Sequence, residues 1–156
     1  MPGYGLPQDA QGLLPWSWAQ SRLESCRNYW LATTRPDARP HLMIVWGLWQ
    51  EQALYFSTGR RSRKARNLEA NAHCVIGTEQ AAAAVVLEGA AAEVSEVDVR
   101  RNFIERYSRK YQYDMAAMTE DILSSREPVY VVRPLVAFGL EEHTAPQSFT
   151  RWRFAP

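Results

Sequence analysis

The sequence predicts a mainly β fold, a barrel carrying α-helical additions. Three observations point to it. Six or seven short apolar runs lie between turn-forming residues. Segments with helical periodicity are inserted among them, and no internal repeat or second-domain boundary interrupts the series. At 156 residues, 46% hydrophobic and 22% charged, the chain has the mix of an ordinary globular domain with one core.

Residues 1–14, rich in Gly, Pro and Gln, read as a loose arm, and residues 15–156 as a single domain. Pro15 opens a short helix to Glu24, because proline suits a first helical turn; it should pack through Trp16 or Trp18 and Leu23. Asn28 to Thr34 reads as a strand. Arg35-Pro36-Asp37-Ala38-Arg39-Pro40 then supplies the turn of a hairpin. In the returning strand Leu42, Ile44, Trp46 and Leu48 share one face, and His41, Met43, Val45, Gly47 and Trp49 the other. Both faces are largely apolar, so one should meet the core and the other a cofactor or a second subunit.

Ala53 to Thr58 continues as a third strand, which Gly59 breaks. Helical composition from Ser62 to Asn71 leads to strands at 73–78 and 84–94, with Gly89 as a candidate bulge. Val99, Phe103, Tyr107 and Tyr111 recur every four residues, giving an amphipathic helix over 95–111 whose aromatic stripe belongs to the core. A further helical stretch covers 114–124. Residues 128–132 and 135–140 read as extended, interrupted at Arg133-Pro134 because proline removes a ladder donor, and 148–154 should close the sheet.

Net charge is only +1, so any attraction to an anion must come from a local cluster. No stretch resembles a secretory segment or a span of about 20 apolar residues, which predicts a cytoplasmic protein without membrane contact. Cys26 and Cys74 lie far apart with no metal-ligand spacing and read as buried thiols. His41, His73 and His143 are scattered and read as structural or surface residues, and no metal site is expected. Tyr111 and Tyr113, beside Lys110, read as packing residues, and no residue is assigned a catalytic role.

One cluster stands out. Arg60, Arg61, Arg63, Lys64 and Arg66 fall within seven residues, where a strand turns into a helix. A helix N-terminus carries roughly half a positive charge and disfavours cations, so an anion should compensate. A phosphate fits: it accepts bidentate bonds from Arg, a point charge from Lys, hydroxyl bonds from Ser and Thr, and backbone N–H bonds at a helix start. All these donors occur between Ser57 and Lys64. A solvated basic face and a nucleic-acid patch are the alternatives. The second would need basic and aromatic residues spread along a groove, whereas here they crowd one turn.

Phe56-Ser57-Thr58 followed by Ser62-Arg63-Lys64-Ala65 resembles the phosphate-binding signature of pyridoxamine 5′-phosphate oxidase-like split-barrel flavoproteins. The resemblance extends over about residues 15–154, through the Arg-Pro-Asp-x-Arg-Pro-His turn, Glu88-Gly89 and the ending Arg151-Trp152-Arg153-Phe154. It implies a six-stranded split β-barrel acting as a homodimer, with FMN or the deazaflavin coenzyme F-420 at the subunit interface and a small organic molecule as substrate. By the same resemblance Arg63 and Lys64 would clamp the phosphate, and Ser57, Thr58 and Ser62 would add to its cradle. Val45, Trp46 and Gly47 would lie along the ring, and Trp152 and Arg153 would approach from the partner subunit.

Two departures narrow the activity. The Arg-x-His substrate motif of the pyridoxal-type oxidases is missing near the C-terminus, the only such triplet being Arg39-Pro40-His41, so vitamin B6 oxidation is not expected. Where those oxidases place a glutamine that bonds the flavin ring, this chain has Ala83 and Ala84. Only two of the 18 basic residues are lysine, a composition that hints at a GC-rich genome and so at the deazaflavin branch. A non-catalytic barrel that only carries a cofactor or binds nucleic acid is the rival class.

Overall fold

A computed structural model describes residues 13–155. The arm expected over residues 1–14 lies, except for Leu13 and Leu14, outside the described residues. Helix α1 spans Trp16–Ser25, followed by β1 (Asn28–Thr34), β2 (Pro40–Trp46), β3 (Leu48–Gln50) and β4 (Ala53–Ser57). Helix α2 (Arg63–Ala70) leads into β5 (His73–Thr78) and β6 (Ala83–Glu93). Helices α3 (Val97–Tyr111) and α4 (Ala116–Leu123) then precede β7 (Val129–Glu141) and β8 (Thr150–Arg153). No described helix is long and apolar enough to cross a membrane.

The strands form one antiparallel sheet in the order β2-β1-β5-β6-β7-β4-β3, with β8 also paired to β7. Its two end strands, β2 and β3, are consecutive in the chain and joined through Gly47. The sheet therefore curls back on itself into a mainly β split barrel with four α-helices. The wall is continuous from β2 round to β3, and it parts between β2 and β4.

The described strands number eight rather than six or seven because Gly47 divides the apolar run expected as one strand. A side chain there would come within 3.0 Å of the Tyr55 carbonyl oxygen and 3.2 Å of Leu54 Cδ1, so only glycine lets the chain pass this close to β4. The opposite correction holds at Pro134. The sequence predicted a break at Arg133-Pro134, yet β7 runs through it unbroken. The register shifts at the expected bulge: Glu88 pairs with Val136 and Gly89 with Pro134, leaving Leu135 without an opposite residue. A proline can stand in this strand because the bulge already disrupts the ladder there.

Two apolar clusters hold the fold. Tyr29, Leu31, Phe56, Ile76 and Leu87 fill the barrel beneath α1 and α2, with Ala19 and Leu23 completely buried and Trp16 and Trp18 packed at the edge. On the other side of β3, β4 and β7, α3 and α4 contribute Phe103, Met115 and Ile122 against Leu48, Tyr55 and Val129. The aromatic stripe of α3 is core, as its period predicted: Phe103 is fully buried, a contribution of about 1.5–3 kcal/mol. Cys26 and Cys74 are both buried free thiols, and burial pushes Cys74 up to about 12.

Candidate functional site

The hairpin register defines the two faces of β1 and β2. Pairing of Tyr29 with Val45, Leu31 with Met43 and Thr33 with His41 puts these six residues on the inward face. Trp30, Leu42, Ile44 and Trp46 point outward, and each is at least 39% exposed. Along the inward face Val45 is 4% exposed and Met43 48%, so the split is shut at the Gly47 end and opens toward the start of β2. The free edge of β2 carries no ladder partner among the described residues. It offers backbone donors and acceptors to whatever enters the opening.

Strand β4 ends at Ser57, and the basic segment follows. Ser62 caps α2 by accepting from the Ala65 amide at 3.2 Å, and its hydroxyl also accepts from Thr58 Oγ1 at 3.2 Å. The amides of Arg63 and Lys64, at the first two helical positions, have no intrahelical acceptor and no other backbone acceptor among the described residues. The Ser57 hydroxyl donates to the Pro128 carbonyl at 2.9 Å, which leaves its oxygen free to accept but turns its proton away.

Charge pairing divides the five cations. Arg60 swings across to Glu93, at 2.7 and 3.2 Å, and also donates to the Ser125 carbonyl at 2.6 Å. Among the described residues no carboxylate pairs with Arg61, Arg63, Lys64 or Arg66. Lys64 is half-buried, and that burial lowers its pKa with no carboxylate raising it back. A cation in that condition, beside two unfilled amides and the Ser62 hydroxyl, whose proton is unspent among the described residues while that of Thr58 goes to Ser62, fits a phosphate by its donor set. His41 lies at the same end. Burial lowers its pKa first, and repulsion from Arg35, Lys64 and Arg63 lowers it further.

The closed end of the split is built differently. Lys110, from the last turn of α3, donates to the Cys26 carbonyl at 2.6 Å, the Gly47 carbonyl at 2.8 Å and Tyr29 Oη at 3.3 Å. Burial brings its pKa down to about 8, against the opposing influence of Cys26 and Glu79. The Tyr111 hydroxyl receives the Gly47 amide at 2.8 Å. Its ring stacks on Trp46, with centroids 4.6 Å apart and planes within 4°. Gly47 thus spends its backbone groups on α3, and among Val45, Trp46 and Gly47 only Trp46 keeps exposed surface. Tyr111 is a packing residue, as the sequence predicted, while Tyr113 stands 47% exposed and edge-on to Trp46.

Trp152 and Arg153 occupy another neighbourhood of the same chain. Trp152 pairs with Ala137 on the inward face and packs edge-on to Trp16 at 5.3 Å. Arg153 pairs with Val136, on the outer face, and is exposed. Among the described residues no group of three or more His, Cys, Asp or Glu side chains could hold a metal.

Sequence reasoning missed the Thr33–His41 pairing, the diversion of Arg60 and the Lys110 network. The first was readable in principle, since a hairpin turning at residues 35–39 sets Thr33 opposite His41. The other two join residues 33 to 84 positions apart, and no local spacing announces them.

Comparison with known proteins agrees with the architecture. Three solved structures match it over most of their length. An F420 reductase is 22% identical, covering 76% of this chain and 94% of its own, with a TM-score of 0.62. A conserved hypothetical protein from Mycobacterium tuberculosis is 20% identical, covering 88% and 91%, with a TM-score of 0.75. The heme storage protein HutZ from Vibrio cholerae is 16% identical, covering 74% and 87%, with a TM-score of 0.59. No curated protein matches the sequence. At these identities the solved structures speak for the fold, but the sequence itself matches the family described as Pyridoxamine 5'-phosphate oxidase over residues 18–134, a span that holds both the opening of the split and the basic turn beside it. The chain is a member of the pyridoxamine 5′-phosphate oxidase-like split-barrel family.

Proposed function

We propose that the protein binds the phosphate of a flavin-type cofactor, FMN or the deazaflavin coenzyme F-420, where β4 turns into α2. It then acts as an oxidoreductase on a small organic molecule. One observation carries this reading: Lys64, half-buried with no carboxylate partner among the described residues, stands beside Arg63, two unfilled helix amides and the Thr58 and Ser62 hydroxyls. The cofactor supplies the hydride chemistry, so the protein's task is to hold, orient and shield it. The free edge of β2 would meet the ring, with the exposed face of Trp46 near its far end. Arg60, already paired with Glu93, leaves one compact anion site, which suits a single phosphate better than a nucleic-acid backbone.

The active form is a homodimer in this reading. Trp30, Leu42 and Ile44 share the outer face of β1 and β2, and these three are 39–56% exposed. A contiguous apolar sheet face of that kind marks a contact surface, here for a second copy. Arg153, on the same outer side, would then reach the partner's cofactor, with Trp152 behind it offering its half-exposed ring edge.

The deazaflavin alternative draws support from the structural likeness to an F420 reductase and from Ala83 and Ala84, which give the ring no side-chain donor. Deazaflavin reacts poorly with oxygen, so that choice means a reductase. The likeness to a heme storage protein keeps a carrier without turnover as the rival outcome. Absorption spectrum and ligand mass of the purified protein separate the three. Replacing Arg63 and Lys64 together with Ala is expected to release the cofactor from a folded barrel. Retention in that variant would end the phosphate assignment, and a monomer that still holds cofactor in light scattering would end the role given to Trp152 and Arg153.

A further inference from the structure

The basic turn is not the only unusual polar feature at the open end of the split. Asn67, on α2, is completely buried in an apolar surrounding, between Ala65 and Leu68. Its Nδ2 donates to Thr33 Oγ1 at 2.9 Å, and Oδ1 has no partner among the described residues. Thr33 is itself 4% exposed and lies directly opposite His41 in the hairpin, with Oγ1 3.4 Å from His41 Nδ1. Such a buried amide costs about 1–3 kcal/mol if left unpaired, so it calls for a role that an apolar residue could not fill.

The bond directions follow from the donor inventory. The threonine oxygen accepts from Asn67, and among the described residues its single proton has no acceptor other than His41 Nδ1, which takes it when the ring is in the complementary tautomer. A neutral imidazole that accepts at Nδ1 carries its proton on Nε2. That N–H lies on the side of the ring away from Thr33, on the inward face where the split opens. Lys64 is one turn before Asn67 on α2, near enough for its charge to lower the pKa of His41. The charged groups facing His41 are Arg35 from the β1–β2 turn and Arg63 and Lys64 from α2, and no carboxylate is among them.

We propose that His41 is a further ligand-contacting residue of this site, held by Thr33 and Asn67 as the Nε2–H tautomer so that it donates to the cofactor phosphate beside Arg63 and Lys64. The proposal rests on the phosphate reading above and deepens it. Burial first, and then the three surrounding cations, make protonation of His41 unfavourable while the site is open. A bound phosphate reverses that field, and the imidazole then takes up a proton at Nδ1 as the ligand enters, with Thr33 Oγ1 turning its own proton away and accepting from Nδ1 on its second lone pair. Thr33 and Asn67 are positioning residues: they touch no ligand and act by fixing the ring.

Imidazole NMR of the whole protein tests this, with His41→Gln identifying the resonance among the three histidines. FMN and coenzyme F-420 are used as probes in parallel, and riboflavin serves as the phosphate-free control. In the free protein the nitrogen shifts should report Nε2–H, and the pKa of His41 should rise by about 1–2 units when either phosphorylated probe binds. His41→Ala should weaken that probe about tenfold to a hundredfold, the loss of one bond to a charged group, and His41→Gln, which keeps a donor, should recover part of it. Riboflavin should move neither quantity.

An Nδ1–H tautomer, an unmoved pKa in a protein that has bound its probe, or full affinity in His41→Ala would each overturn the role of His41 and leave the phosphate site standing. Full affinity in the Arg63 and Lys64 double variant would instead remove the site itself. Binding of neither probe to the wild type removes both.

Discussion

The chain has only two lysines, and the structure sets one at each end of the split in the barrel. Both are half-buried, and burial lowers the pKa of both. Lys110 spends its three protons on the carbonyls of Cys26 and Gly47 and on the Tyr29 hydroxyl. Lys64 has no such acceptors among the described residues, and its neighbours are cations and unfilled donors. A buried charge that the protein itself satisfies is part of the architecture, whereas one left without acceptors marks a candidate binding site. The difference teaches where to look: burial alone does not separate the two, and the inventory of acceptors does.

The sharpest way to break this contrast is to remove each cation and compare ligand affinity with stability. With Arg63 and Lys64 both changed to Ala, two charge-assisted contacts of about 1.5–3 kcal/mol each are lost, so cofactor affinity should fall by about two to four orders of magnitude. The melting temperature of the cofactor-free protein should hold or rise, because an uncompensated cation has been taken out of a half-buried position. A marked drop in that temperature would show Lys64 to be structural after all.

Lys110→Met should behave in the opposite way. It leaves the Cys26 carbonyl without its donor and removes one of the donors to Gly47, at a cost of about 1–3 kcal/mol in denaturant unfolding. Unchanged stability in this variant would mean that water replaces the ammonium group easily and that the closed end is not locked by it.

Much of this arrangement was legible in the sequence, for identifiable reasons. Local signals located the four described α-helices, the apolar period for α3, the proline start for α1 and composition for α2, while the short 3-10 turn at Glu142–Thr144 carried none. Composition located the basic turn, because crowding of cations at a helix start is local too. Gly89 was readable as a bulge, but its consequence for Pro134 was not, since that depends on which residue lies across the ladder. For the same reason Lys110 and Tyr111 looked like the tail of an amphipathic helix, although their partners are Cys26, Arg27 and Gly47. Even the cluster of five cations was resolved only in three dimensions, where Glu93 claims Arg60.

Alkaline pH sharpens the comparison by a smaller margin. Lys110 has a pKa of about 8 in the folded chain against about 10.4 when unfolded. Between these values the unfolded chain binds more protons at this site, so its contribution to stability rises with pH. The buried Cys26 and Cys74, whose pKa values are raised, push the other way above their ordinary range. Subtracting the Lys110→Met profile from that of the wild type cancels Cys74, and carrying Cys26→Ser in both chains removes Cys26, whose charge acts on Lys110. The remaining slope should be positive from about pH 8 to about pH 10. A flat difference would mean that Lys110 stays charged throughout.

The smallest effect separates the turns at the two ends. Ala38, in the turn that leads into the open end, has φ 63°, and Gln52, in the turn between β3 and β4, has φ 60°. An L-residue in this region costs roughly 1–2 kcal/mol, and glycine relieves that while adding about 0.5–1 kcal/mol of backbone entropy to the unfolded chain. Ala38→Gly should therefore raise the melting temperature slightly, by about 1–2 °C for a chain of this size. Gln52 differs because its Oε1 accepts from Trp16 Nε1 at 2.9 Å and ties the turn to α1. Gln52→Gly gives up that bond, worth about 0.5–1.5 kcal/mol, so its gain should vanish or change sign. Equal shifts from the two substitutions would show that the turn at the closed end, like the one at the open end, is held by its backbone alone.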